Sequence, residues 1–430
     1  MIVLFNQYIW DKSKVKELPI NLLSIATYMN ANGFDVRIFE AENNANVARI
    51  IIEMKPEIVG IGSQFTWFYP EVLSIAETIK KINPNIPVVI GGNHACCLNR
   101  LDNGIDYIVK GEGEVAFKDL CTKLLKGEKP PPIIGPYPLV KNLDEFPILD
   151  YSLVDIDKYL FEDDFFMRKK IMSITTTRGC PQDCIFCTVK GVWGRSWRGK
   201  SPERVIKEIK QLYYDYGIRE IALLDDTSTI DKKRWDRILD LIIESRMDLR
   251  FTTLGGIAHW TLDKPIIKKM KQAGFYRFMF GIESGNTRIR KFIRKDFPLP
   301  YDLIKYANSI GIWTVLFFIL GFPGETEEEM WETYNFSIKS GADMAIFYTL
   351  ETYPSSDISK YKLDLTLAKK MRIKFQIKFA IHRILTSYKT ITKIHSLEDF
   401  KFCVKLTYHF FKKVFIAFFR LSKKGLLNEL

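Results

Sequence analysis

The sequence predicts an α/β protein built from two strand–helix series: an N-terminal doubly wound, Rossmann-like domain, a partial (β/α)6 barrel, and a helical C-terminal tail. Three observations carry this expectation. Short β-branched runs alternate with helical periodicity over residues 1–126. A proline-rich stretch, "GEKPPPIIGPYP", interrupts the rhythm within residues 127–169. Six further strand–helix units occupy residues 170–360, and the strand pattern is lost over 361–430. Alternation of this kind gives βαβ units and a parallel sheet.

In the first section "MIVLFN" reads as a strand and "INLLSIATYMNANG" as a helix stopped at Gly33. "DVRIFEA" and "EIVGIGS" are strands on either side of the helix "ANVARIIIEMK". The helix "PEVLSIAETIKKI", the strand "PVVIGG" and a short strand in "DYIVKGEGE" follow, then a helix through Cys121. Ligands of doubly wound sheets bind at strand carboxyl ends, here Ser63–Thr66, Gly91–Gly92 and Gly111–Glu114. Residues 127–169 read as a linker, because proline lacks the amide that interior strands and helices need.

The second series has the strands "KIMSITTTRGC", "REIALLDDT", "LRFTTLGG", "FYRFMFGIESG", "WTVLFFILGFPGE" and "MAIFYTL". Helices such as "SPERVIKEIKQLYYDYG" and "DKKRWDRILDLIIESR" separate them. Six units make an incomplete barrel, with the loops after its strands facing one cleft.

Of 430 residues, 47% are apolar and 27% charged, ordinary values for a soluble globular protein. The net charge of +12 sits in the tail, where residues 361–430 hold 16 Lys or Arg against 4 Asp or Glu. The remainder is balanced, so no general basic face for nucleic acid is expected. The N-terminus reads as a strand rather than a secretory leader, and "IWTVLFFILGFPG" is too short to span a bilayer. Seven cysteines with no regular framework suit a reducing, cytoplasmic compartment.

Cys180, Cys184 and Cys187 form C-x3-C-x2-C in a glycine-containing loop just after a strand. A structural zinc site takes four protein ligands, and the nearest histidines, His94 and His259, are remote in sequence. A cubane iron–sulfur cluster normally takes four thiolates, so three leave one iron open for a substrate or cofactor.

This motif, with Phe186 just before the third cysteine and after the first of six βα units, resembles the radical S-adenosylmethionine (SAM) superfamily. The resemblance implies a 4Fe–4S cluster on Cys180, Cys184 and Cys187. Its open iron would chelate SAM, and reduction would release methionine and a 5′-deoxyadenosyl radical. Carried over by position, Asp225 and Asp226 in "LLDDTST" would meet the methionyl amine. Glu283 and Ser284 in "GIESGN" would contact the ribose and carboxylate. Ile319 and Gly321 in "ILGFPGET" would lie nearest the adenine, with Phe186 as a wall for the nucleoside. Taken singly, "DDT" also reads as a helix cap and "GFPGET" as a turn opening a helix. The chain departs from the family after its sixth strand, where "ETYPSSDI" (351–358) replaces a Pro-Gly-Thr turn.

A doubly wound domain ahead of such a barrel resembles the cobalamin-binding class of the superfamily. The matching stretches are "ELPINLLSIATYMNANGFDVRIFEA", "GIGSQFTW", "VVIGGNHA" and "DYIVKGEGE". The resemblance implies cobalamin between the domains, with Ser63, Gln64, Thr66, Gly91, Gly92 and Gly113 along its nucleotide tail. No D-x-H-x-x-G histidine is present; the first loop reads "FNQYIWDKSK". That is compatible with corrinoid binding without a lower histidine, and also with a domain that has lost it. Cys96, Cys97 and Cys121 read as small core residues and His94 as a polar loop residue.

The reaction implied is methylation of an unactivated carbon of a small-molecule or lipid substrate, with reduced ferredoxin or flavodoxin as electron donor. The alternatives are radical cyclisation, rearrangement or carbon–carbon coupling without methyl transfer and, from another class, a non-catalytic metal-binding or membrane-associated module. In the tail, Phe411, Val414, Phe415 and Phe418 share one helical face, with Lys412, Lys413 and Arg420 more to the other. That pattern fits a helix capping the barrel or an interfacial helix giving peripheral membrane contact.

Overall fold

The computed structural model describes residues 1–7, 18–159 and 165–408. The first series runs β1 (Ile2–Gln7), α1 (Ile20–Ala31), β2 (Val36–Ala41), α2 (Asn44–Met54) and β3 (Ile58–Gly62). It continues through α3 (Tyr69–Ile82), β4 (Val88–Gly91), β5 (Tyr107–Val109), α4 (Gly113–Leu125) and β6 (Ile133–Ile134). All pairings are parallel, in the order β2-β1-β3-β4-β5-β6. The near-continuous apolar runs of β1 and β3 are buried on both faces, as a parallel sheet under two helical layers requires. Leu22, Met29, Phe117 and Leu120 of α1 and α4 cover one face. Val47, Ile50, Val72 and Ile75 of α2 and α3 cover the other. Strand order reverses between β1 and β3, a switch point that opens a crevice at the strand ends. The proline-rich stretch also supplies β6, an edge strand, where a missing amide costs least.

The second series begins with β7 (Ile171–Ile174), β8 (Thr177–Arg178), α5 (Val189–Trp193), β9 (Arg198–Gly199) and α6 (Pro202–Asp215). Next come β10 (Glu220–Leu223), α7 (Lys232–Ser245), β11 (Arg250–Thr253), α8 (Lys264–Gln272) and β12 (Phe275–Glu283). Then follow α9 (Thr287–Phe292), α10 (Tyr301–Ser309), β13 (Trp313–Leu320), α11 (Glu327–Lys339), β14 (Met344–Thr349) and α12 (Thr366–Leu385). Six strands pair in parallel in the order β14-β13-β12-β11-β10-β7, an open barrel in chain order. Local chemistry starts the helices where the sequence implies. Ser201, Asp231, Asp263 and Asn286 each accept an amide of the first turn, and Thr326 with Glu329 closes a capping box.

The antiparallel pair β8–β9 sets Arg178 opposite Arg198 and clasps the loop between them, which carries the three cysteines. Residues 387–408 close the opposite, N-terminal end of the barrel. There Glu398 accepts from Arg168 Nε at 2.6 Å and Arg250 Nη2 at 2.7 Å. Lys393 pairs with Asp343, and Phe402 packs edge-on against Tyr276 and Trp313. Phe411, Lys412, Lys413, Val414, Phe415, Phe418 and Arg420 lie outside the described residues. Among those described, no helix is long and apolar enough to cross a membrane.

Candidate active site

The cysteine loop sits at the carboxyl end of β7. Cys184 is buried, Cys180 and Cys187 are half-buried, and none of the three is in a disulfide. Burial pushes the Cys184 thiol up to about 12 and that of Cys187 up to about 11, so bare thiolates are disfavoured there. Among the described residues no three His, Cys, Asp or Glu side chains converge on a single metal ion. Three thiols in one loop match the thiolate set of a cubane that leaves one iron open, one short of the four protein ligands of a structural zinc site.

The loop begins at Gly179, whose φ is 88° and where a Cβ would lie 2.1 Å from the Ser196 carbonyl oxygen, so only glycine fits. The Gly179 amide donates to Asp226 Oδ2 at 3.0 Å. Asp226 faces the cleft between the domains, and burial pushes its carboxyl up to about 6. Its neighbour Asp225 does not reach the cleft. It is buried and accepts Thr176 N (2.5 Å), Thr176 Oγ1 (2.6 Å) and Thr177 N (2.9 Å), tying the end of β10 to that of β7.

Glu283 ends β12 in the left-handed region, φ 66°, a conformation that costs a non-glycine residue of order 1–3 kcal/mol. Lys295 Nζ donates to its Oε1 at 2.7 Å and to the Gly281 carbonyl at 2.9 Å. Burial alone would lower the Lys295 ammonium, but Glu283 and Cys184 reverse it, and it is held above the usual lysine value. Lys295 escaped the sequence reading because nothing local marks it; a turn after α9 returns it to Glu283. Ser284 is turned away from the cleft. It is fully buried, facing Thr333 Oγ1 at 3.1 Å and accepting the Asn286 amide at 3.1 Å.

Phe186 and Ile319 pack against an apolar cluster containing Ile185, Ile289 and Phe322, the Phe186 ring 6.0 Å from that of Phe322. Gly321, φ 95°, donates its amide to Glu325 Oε2 at 2.6 Å, and α12 presses on it through Leu365 and Ala368. Residues 351–358 strap the cysteine loop from outside. Ile358 N bonds Ile185 O at 2.9 Å and Lys190 pairs with Asp357 at 2.6 Å. Arg294 joins Asp183, inside the motif, to Asp357. Tyr353 packs against Trp67 of the first domain with centroids 5.8 Å apart.

In the first domain a crevice of about 100 Å³ runs between the sheet and α1/α4, lined by Gly60, Gln64, Gly91, Gly92 and Gly113. Ser63 and Thr66 do not line it. Gly62 and Gln64 line the crevice, and Ser63, just past the end of β3, does not. Ser63 is fully buried and Thr66 Oγ1 bonds His94 Nδ1 at 3.1 Å. Gly92 has φ 108°, and a Cβ there would lie 2.7 Å from Ser63 O. Cys121 is a core residue, whereas Cys96 and Cys97 are half-buried. At Gly91 a Cβ would meet nothing closer than 3.7 Å, so a flat group such as a corrinoid's nucleotide tail can approach the backbone there.

The crevice adjoins a larger interdomain cleft of about 360 Å³, and Gln64, Arg178 and Trp193 line both. Arg178 bridges the domains, its Nη1 donating to Glu112 Oε1 and Nη2 to Glu114 Oε1, each at 2.6 Å. Arg198 adds a second bond to Glu112 at 3.1 Å. The glycine crevice and the cleft that Asp226 faces thus lie side by side, with Arg178 in the wall of each.

Comparison with known proteins agrees with this architecture. The radical SAM superfamily matches residues 174–337, and the B12 binding domain matches residues 8–121. An uncharacterized methyltransferase of Pyrococcus horikoshii is 36% identical, over 80% of this chain and 78% of its own. Cytidylyl-2-hydroxyethylphosphonate methyltransferase of Streptomyces wedmorensis is 27% identical, over 79% of this chain and 77% of its own. The radical SAM methyltransferase TsrM of Kitasatospora setae, solved with cobalamin and a 4Fe–4S cluster bound, shares the fold. Its TM-score is 0.67 at 18% identity, covering 83% of this chain and 73% of that one. The chain belongs to the radical SAM superfamily, in the branch that carries a B12 binding domain. It is an enzyme whose cofactors are a 4Fe–4S cluster, SAM and cobalamin.

Proposed function

We propose that the enzyme methylates an unactivated carbon of a small-molecule or lipid substrate in the interdomain cleft. The observation that carries this reading is that the glycine crevice and the cleft that Asp226 faces share the walls Gln64, Arg178 and Trp193. Methyl donor and hydrogen-abstracting chemistry would then meet at the cleft walled by α1, the 143–149 segment and Trp193.

When bound, the three cofactors supply the electron, the hydrogen-abstracting radical and the methyl group; the protein's part is to hold and orient. Cys180, Cys184 and Cys187 would ligate the cluster. Asp226 would accept from the SAM ammonium, its carboxylate already fixed by the Gly179 amide. Glu283, held by Lys295, would accept from the ribose hydroxyls. Phe186 and Ile319 would flank the nucleoside, with the backbone at Gly321 nearest the adenine. In the first domain Gln64, Gly91, Gly92 and Gly113 would line the corrinoid tail, while Ser63 and Thr66 support that wall from behind. Reduced ferredoxin or flavodoxin would supply electrons.

The test is anaerobic reconstitution followed by cobalt analysis, an absorption spectrum, and assay for 5′-deoxyadenosine from SAM under strong reductant. A corrin band together with 5′-deoxyadenosine supports methyl transfer. Absence of the corrin after growth with cobalamin would favour radical cyclisation or rearrangement instead. Absence of SAM cleavage refutes the radical assignment.

A further inference from the structure

We propose that the C-terminal cap of the barrel binds an anionic lipid surface through an exposed apolar face. Residues 397–408 are helical and apolar on two sides. One side is the barrel cap, with Phe402 fully buried and Cys403 and Leu406 packed beside it. On the other, Leu397, Phe400 and Val404 recur at helical spacing and are 68%, 50% and 53% exposed. In the same stretch of chain Ile381, Leu385 and Ile391 are 53%, 73% and 69% exposed. A surface helix ordinarily buries one apolar stripe and keeps the opposite side polar, so a second stripe of this size marks a binding surface.

Charge selects the occupant. Residues 361–408 contain 11 Lys or Arg against 3 Asp or Glu; Glu398 is engaged by Arg168 and Arg250, and Arg383 and Lys393 by Asp343, which leaves the excess positive. A second copy seated on this face would oppose two surfaces of like charge. Residues 409–430, with 5 Lys or Arg against 1 Glu, would be repelled by it in the same way. An anionic headgroup layer meets both requirements, since apolar side chains enter the acyl boundary while lysines stay among the headgroups.

The position defines what such binding does. Residues 387–408 close the N-terminal end of the strands, whereas the cysteine loop and the cleft lie at the C-terminal end. The contact therefore tethers the enzyme by its base, with the cleft turned from the bilayer, and does not feed substrate into it. This inference is independent of the reaction proposed above.

The experiment is cosedimentation of the full-length protein with phosphatidylcholine vesicles and with mixed phosphatidylcholine–phosphatidylglycerol vesicles. Binding to the mixed vesicles alone is expected, falling steeply with added salt as screening requires. The double variant L397E/V404E, at exposed positions, is expected to lower binding about tenfold with an unchanged circular dichroism melt. No binding at low salt, or equal binding by the variant, overturns the proposal. A dimer in sedimentation velocity without lipid, dissolved by the same variant, overturns it in favour of a second copy. If a chain ending at residue 408 binds the mixed vesicles and the full chain does not, residues 409–430 occupy the face and the proposal also falls.

Discussion

Replacing Arg178 by methionine removes the guanidinium on which two buried carboxylates of the other domain depend. Glu112 and Glu114 have side chains only 3% and 5% exposed, each 2.6 Å from an Arg178 nitrogen. After R178M, Glu112 keeps Arg198, but Glu114 keeps no charged partner, only the Ser24 hydroxyl at 2.6 Å and a backbone amide. Removing one partner of a buried pair leaves an uncompensated charge and costs about 3–5 kcal/mol. At about 2–4 °C per kcal/mol for a cooperative unit of 150–250 residues, the melting point drops by roughly 6–20 °C. The pH dependence identifies the cause. Burial works to raise the Glu114 carboxyl, yet the Arg178 charge and hydrogen bond more than reverse it, so it lies below its ordinary 4.5. In the native protein this group's contribution is present above the unfolded value and is lost as pH falls through the folded one. In R178M burial, the largest influence, is opposed only by the Ser24 and backbone hydrogen bonds, and the folded value rises above the unfolded one. The group's contribution to stability is then lost as pH rises, so the deficit against wild type is largest at neutral pH and shrinks below about 4.5. Circular dichroism melts across a pH series read this directly, and E114Q in the R178M background should restore much of the loss. A melting point within about 2 °C of wild type, or a deficit that ignores pH, refutes the reasoning.

Other substitutions separate the groups by role. Cys184→Ala is expected to abolish cluster loading, read as iron and sulfide bound after anaerobic reconstitution. Asp226→Asn should weaken SAM binding about 10- to 100-fold in calorimetry, the loss of one charge-assisted hydrogen bond worth about 1.5–3 kcal/mol. Asp225→Asn should instead lower the melting point with little direct effect on SAM affinity, because its three hydrogen bonds hold β7 to β10. Gly91→Leu fills the crevice and is expected to cut cobalamin retention about tenfold with the melt preserved, since a Cβ at 91 meets nothing closer than 3.7 Å.

The sequence made both sheets readable because burial under two helical layers demands continuous β-branched strands, and helix caps are encoded within four residues. The cysteine triplet was readable for a related reason: all three thiols sit in a single short loop. Pairs of neighbouring residues were harder. Asp225 and Asp226 share a motif, yet one ties two strands together and the other faces the cleft. Ser63 and Gln64 are adjacent in the turn after β3, yet Ser63 is fully buried and only Gln64 lines the crevice.

What the sequence by itself determined is the order of elements, the open barrel after a doubly wound domain, and the three thiols that mark the chemistry. Those features depend on patterns spanning a few residues, which the backbone enforces locally. Only the tertiary structure decided that Lys295 returns to Glu283, that "ETYPSSDI" straps the cysteine loop, and that Arg178 reaches Glu112 and Glu114 across the domain boundary. It also decided that residues 387–408 plug the base of the barrel while Leu397, Phe400 and Val404 face outward. Such contacts depend on where distant segments meet, and burial supplies their strength by stripping water from charges that chain position alone does not pair.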